Sequence, residues 1–236
     1  MKSRRDRLRE ATVQEITGTA RRILVAEGPE AVTLRAIARE MGMTAPALYR
    51  YFGSHGELLR HVVGAIFTEL TAALHDALQA VPNGDMSGKF LAVSRRFRHW
   101  ALAHPREYAL LFGAPVRGRG HDEDWAEECA REFGWTFLSL FLELWRKKPF
   151  PVVPDERIDP VLLEQLRSYR EDVLGVDLPL GVIQQFLKCW VRLQGSVSLE
   201  VFGHLEFALR DAGPMFELMM REISSELDIT YRPPEP

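Results

Sequence analysis

The stretch Thr33–Leu59, TLRAIAREMGMTAPALYRYFGSHGELL, constrains this chain more than any other. Leu34, Ile37, Ala38 and Met41 recur at the spacing of one helical face, which ends at Gly42, a residue able to take the positive φ of a tight turn. A second helix must start almost at once: Thr44 can cap it, Pro46 suits a first turn that has no use for its N–H, and Leu48 and Phe52 supply an apolar face. That face is only two residues wide, so the helix has to lean on its neighbour. Small Ala38 lies four residues before Gly42, where crossing helices come closest, and the pattern predicts a helix-turn-helix. The second helix then shows Thr44, Ala45, Pro46, Ala47, Tyr49, Arg50 and Tyr51 to solvent. Short side chains next to phenols and a guanidinium suit a helix that enters a DNA groove, where a methyl meets thymine and Arg pairs with guanine or phosphate. Thr33 and Arg35, at the start of the preceding helix, complete the candidate contacts, with Arg35 in reach of a base edge or a phosphate.

Residues 33–59, together with the helix expected from Arg9 to Gly28, resemble the DNA-binding domain of TetR-family transcriptional regulators, including the LYRYF run followed by a short turn and a new helix. The resemblance implies double-stranded DNA as a partner. One position departs from the family pattern: His55 stands where the family usually has a Lys that contacts phosphate, and a neutral His would hold that phosphate less well.

A chain of 236 residues, 46% hydrophobic, can build a substantial core. The net charge of −3 hides an asymmetry, because residues 1–60 hold 11 Lys+Arg against 7 Asp+Glu while the rest hold 19 against 26. A basic front and an acidic body fit one end on nucleic acid and the other off it. Cys129 and Cys189 each lie in an apolar helical pattern and read as buried thiols of a cytoplasmic protein. No apolar run approaches the ~20 residues that span a bilayer, and no membrane partner is expected.

Taken in order, Lys2, Arg4, Arg5, Arg7 and Arg9 read as a basic arm ahead of the first helix, placed to touch phosphates or a minor groove or, equally, to stay a frayed, solvated tail; the helix runs on Val13, Ile16, Ala20, Ile23 and Leu24 until Gly28-Pro29. Ser54 and Glu57 form a capping box for a long helix that ends before Pro82. This predicts a helix-turn-helix domain over 1–53, a connecting helix over 54–81 and a helical body over 82–236. Helical patterns continue over 87–103, 105–112, 122–147, 161–174, 180–202 and 214–227, and strand alternation is absent, so the fold class is all-α. GAPVRGRG, residues 113–120, follows no strand and precedes no Lys-Ser/Thr, and reads as a connection rather than a phosphate cradle.

The body is dense in aromatics. Phe97, Trp100, Tyr108, Phe112, Phe137, Phe141, Phe186 and Trp190 are the candidates for an apolar pocket between facing helices, with a small apolar effector as its occupant. Two C-terminal helices carry Leu193, Val197 and Val201, and Phe216, Met219, Met220, Ile223 and Leu227, as the candidate face of a homodimer. Residues 104–116 and 190–206 also look like the regulatory domain of a TetR subgroup with Trp, His and Gly in a penultimate helix. Trp190 and Gly195 match, but Gln194 replaces the His, keeping a hydrogen bond and losing the titratable charge. His99 and His104 do not share a helical face, and no HExxH or Glu-x-x-His pair occurs; no catalytic site, cofactor or metal is expected. The reading is a DNA-binding repressor released by a hydrophobic effector, the alternative an effector-independent regulator that recruits a protein partner.

Overall fold

In the computed structural model, which describes residues 3–113 and 125–234, the described residues form α-helices and no strand. In chain order they are α1 (Arg4–Glu27), α2 (Leu34–Glu40), α3 (Ala45–Leu48), α4 (His55–Gln79), α5 (Met86–Ala103), α6 (Pro105–Phe112), α7 (Trp125–Lys147), α8 (Pro160–Tyr169), α9 (Leu180–Val201) and α10 (Gly213–Glu226). Contacts divide the chain into two compact units, Met1–Ala73 with Ala103–Gly134, and Leu74–Leu102 with Trp135–Pro236. Helices α4 and α7 therefore each begin in the first unit and end in the second. At 25 residues and 1.5 Å each, α4 is about 37 Å long. The connection expected over 113–120 falls, apart from Gly113, outside the described residues, as does the expected first turn of α7 over 122–124.

The N-terminal arm is a correction. Residues from Arg4 onward are helical, because Ser3 accepts the Asp6 N–H at 3.1 Å while the Asp6 carboxylate accepts the Ser3 N–H at 3.0 Å. This reciprocal box satisfies two orphan donors and lets α1 start well before its apolar stripe begins.

In the first unit, Ile16, Ala20, Ile23 and Leu24 of α1 are buried, as are Leu34, Ile37 and Ala38 of α2, and Leu48 and Phe52 in and just after α3. Helix α6 is tied to α1 by polar contacts. Arg106 donates to the Val25 carbonyl at 2.6 Å, covering one of the orphan carbonyls of a helix whose last turn carries no basic residue. Arg21 donates to Glu107 at 3.3 Å and also pairs with Glu69 of α4.

In the second unit, α5, α7, α8, α9 and α10 enclose an apolar core that includes Phe97, Phe141, Val197, Phe216 and Met220. A C-terminal segment stitches three of these elements together. The Lys148 ammonium donates to the Asp228 carbonyl at 2.9 Å, the Thr230 N–H to the Ser87 hydroxyl at 3.1 Å, and the Tyr231 hydroxyl to Glu217 at 2.9 Å. Arg95 holds the same Glu217 with two hydrogen bonds of 2.9 and 2.7 Å.

Burial pushes the Glu217 carboxyl up, but hydrogen bonds from Arg95 and Tyr231 and the Arg95 charge outweigh it, and its pKa lies below the ordinary 4.5. A carboxylate lowered in the folded state contributes stability above its unfolded pKa and loses it as pH falls through the folded value. Chemical denaturation between about pH 6 and about pH 3 should therefore show falling stability, with Glu217→Gln less stable at the upper end and flatter across the range. Parallel curves for the two proteins would show that the cluster contributes nothing.

Candidate nucleic-acid interface and apolar cavity

The helix-turn-helix is held by local chemistry at each end. The Thr33 hydroxyl accepts the Ala36 N–H at 3.1 Å and caps α2. At the other end Gly42 has φ +64°, with its N–H on the Arg39 carbonyl and the Met43 N–H on the Ala38 carbonyl at 2.8 Å. These are the two bonds of a Schellman turn, which needs a left-handed residue at this position. Thr44 then caps α3 by accepting the Ala47 N–H at 3.4 Å, with Pro46 in the first turn.

Helix α3 is a single turn, and the chain continues through hydrogen-bonded turns at Tyr49–Tyr51 to buried Phe52. Leu48 and Phe52 face inward, so Arg35, Thr44, Pro46, Tyr49 and Arg50 are exposed while Ala45 and Ala47 are half-buried. Tyr51 differs from the expectation of a solvent-facing residue: it is half-buried, with the Arg9 guanidinium 5.8 Å from its ring centre.

His55 also has a role that the sequence did not suggest. Its Nε2 lies 2.5 Å from the Val32 carbonyl, which makes Nε2 the protonated nitrogen and ties the start of α4 to the segment before α2. With Nε2 engaged there, only Nδ1 of the His55 ring is left to meet another group. Ser54 caps α4 as expected, accepting the Glu57 N–H at 3.1 Å, whereas the Glu57 carboxylate reaches the Gly53 N–H at 2.7 Å instead of that of Ser54.

The eight aromatic pocket candidates and Gln194, carried with them as a ligand-binding candidate at the position of the subgroup's His, fall into separate groups. Tyr108 and Phe112 belong to the first unit, where their rings lie 4.8 Å apart and Phe112 also meets Phe67 and Phe133. In the second unit, Phe137, Phe141, Phe186 and Trp190 line an apolar cavity of about 20 Å³, room for about one water. Phe97 packs behind it, edge-on to Phe137 at 5.8 Å and 6.0 Å from Trp190. Trp100 is buried, and the Gln194 amide donates to the Ser198 hydroxyl at 3.2 Å.

The cavity has further walls. Phe90 and Ser94 of α5, Leu140 of α7 and Cys189 of α9 join from positions that no single motif marks. Burial pushes the Cys189 thiol up to about 12, so it is a packing group and not a nucleophile.

Leu193, Met220 and Ile223, expected at the subunit face, also line this cavity, and Val197, Phe216 and Leu227 are buried in the same protomer. Only Val201 and Met219 of that set retain partial exposure. The apolar residues that α9 and α10 leave open are Val191, Leu199, Met215 and Leu218, followed by Phe202. Among the described residues no cluster of three or more His, Cys, Asp or Glu could hold a metal ion, and no helix is long and apolar enough to cross a membrane.

Comparison with known proteins follows these two regions. Residues 16–62 match the family model described as bacterial regulatory proteins, tetR family, and residues 90–223 match the tetracyclin repressor-like C-terminal domain. An HTH-type transcriptional regulator of Mycobacterium tuberculosis is 29% identical over 219 residues, 92% of each chain, and its counterpart in Mycobacterium bovis aligns equally well. Among solved structures, a protein assigned a regulatory role, SCO4313, superimposes with a TM-score of 0.71 and 27% identity, covering 94% of this chain and 100% of that one. RolR in complex with resorcinol shares the fold with a TM-score of 0.57 and 16% identity, covering 97% and 98% of the two chains.

Proposed function

Because the chain belongs to the TetR family of bacterial regulatory proteins, we propose that this transcriptional regulator is a homodimeric repressor, released from a near-palindromic operator by a small apolar effector. The observation that carries the DNA-binding part is the capped helix-turn-helix, which buries Leu48 and Phe52 and leaves Arg35, Thr44, Tyr49 and Arg50 exposed on one unit. Two copies of such a reader enter successive major grooves when their centres are about 34–36 Å apart. The dimer face in this reading is the open side of α9 and α10, Val191, Leu199, Phe202, Met215 and Leu218, with Gly195 allowing close helix approach.

The effector site is the cavity walled by Phe137, Phe141, Phe186 and Trp190. At about 20 Å³ it is far below the ~300 Å³ of an ordinary ligand site, so an effector must displace its walls. That displacement is what gives a ligand different affinities for two conformations, without which no shift occurs. The resorcinol bound by RolR makes a small aromatic the first effector to try. Helix α4, shared by both units, is the covalent path for the response.

Selection of bound duplexes from a random pool tests the DNA reading and should return a near-palindrome. On the selected duplex, Arg35→Ala should lower affinity by about 1–3 kcal/mol if the guanidinium pairs with guanine, and relax preference at one position of each half-site. Equal loss on random DNA would make Arg35 a phosphate contact, and recovery of no sequence preference would overturn operator recognition.

A further inference from the structure

We propose that the first two turns of α1 form a fixed basic wing beside the DNA reader, in which Arg5 and Arg9 bind phosphates flanking the base-reading contacts. The inference rests on the reading of residues 34–52 as that reader. Three observations lead to it. The capping box between Ser3 and Asp6 makes the segment helical from Arg4, so its charges hold set positions instead of fraying. The Arg9 guanidinium sits over the Tyr51 ring, directly after Tyr49 and Arg50, and thereby fixes which side of α1 faces the reader. Arg5 lies one turn before Arg9 and shares that side, whereas Arg4 and Arg7 lie about 140–160° away round the helix. All four arginines are exposed.

A guanidinium beside the reader and outside the groove-entering turn meets the sugar-phosphate backbone. Such a contact sets register and affinity but carries no base information. The consequence is a change in salt dependence and not in sequence preference.

The test compares two double variants of the full chain that lose the same charge, Arg5→Ala/Arg9→Ala and Arg4→Ala/Arg7→Ala. Fluorescence anisotropy is followed over a salt series with a labelled duplex of mixed sequence and with the duplex recovered by selection. Each phosphate contact adds about 0.9 to the slope of log affinity against log salt, so the first variant should lose about 1.8 per bound protomer, or about 3.6 for a dimer, on both duplexes. Between 50 and 200 mM salt this corresponds to a fall in affinity roughly tenfold shallower than wild type for each protomer, about a hundredfold for the dimer, with the second variant close to wild type.

Leu8→Pro separates a helical wing from a flexible arm. Leu8 is 61% exposed, so the change keeps every charge and costs no core packing while it breaks α1 between Arg5 and Arg9. A helical wing loses about 0.9 of slope per protomer in this variant, about 1.8 for the dimer, and a flexible arm loses none. Equal effects of the two double variants, or an unchanged slope in Leu8→Pro, would overturn the wing and leave the reader standing. Wild-type protein that binds neither duplex would overturn both.

Discussion

Phe141→Ala should destabilise the protein by about 3–5 kcal/mol and at the same time create a binding site for benzene. Phe141 is 2% exposed, meets Phe150 and Phe186 with ring centres 5.2 and 5.5 Å apart, and forms part of the wall of the cavity between α5, α7, α9 and α10. Truncation removes the transfer energy of the ring, and close-packed neighbours relax only partly into the space left. The 20 Å³ void should grow to about 100 Å³ or more, enough for a benzene ring in surroundings with little polar surface. The measurement is denaturant unfolding with and without benzene: benzene should raise the midpoint of the variant and leave wild type almost unchanged. A variant that loses less than about 1 kcal/mol would mean that the site collapses without strain. A protein that takes small aromatics only after this truncation, and never releases DNA on taking them, would favour the reading in which a protein partner sets the response.

The second large effect is expected at Arg21→Met, a loss of about 3 kcal/mol that appears only while Glu107 keeps its charge. Glu107 is 4% exposed, and Arg21 is the cation beside it. Removal of the guanidinium leaves a carboxylate with neither water nor a counter-charge, and that desolvation, more than any lost attraction, is the source of the destabilisation. The lower end of the range for buried pairs applies because the Arg21 side chain is 25% exposed and shares its charge with Glu69. Adding Glu107→Gln to Arg21→Met should restore most of the loss, since both partners are then neutral. A double-mutant cycle on thermal or denaturant unfolding reads the coupling directly. Additive single effects would show that Glu107 finds its stabilisation elsewhere. The pair joins α1, which leads into the reader, to α6, so the same variants should also change how firmly residues 34–52 are held.

How far the sequence alone could be read differs from element to element. Gly42, Thr44 and Pro46 announced a turn, a cap and a first helical turn, because each acts through its own backbone or its nearest neighbours. The capping box at the N-terminus was written in the same local code, Ser3-Arg4-Arg5-Asp6, and a search for caps ahead of the apolar stripe would have found it. The contact of Arg9 with Tyr51 and that of His55 with Val32 carried no comparable mark. Their partners are 42 and 23 residues away in the chain, and only the packing of α1 and α4 around the reader brings them together.

Helix α9 shows where such reading ends. Leu193 and Val197 make one apolar side, and Val191 and Leu199 make another. Periodicity marks the inner one, which the sequence reading gives to the dimer, and passes over Val191 and Leu199. Apolar residues at helical spacing record that something covers a face, but not whether the cover is the same protomer or a second copy. The same holds for the aromatics, where Tyr108 and Phe112 share a composition with Phe137 and Trp190 but belong to a different compact unit. Helix class, turn positions, caps and the charge division between reader and body were thus determined by the sequence itself, since they depend on neighbours one to four residues away. Which side of each helix became interior, which aromatics surround the cavity and which arginines stand beside the reader were decided only by the tertiary structure, because burial depends on what other segments bring to the same place.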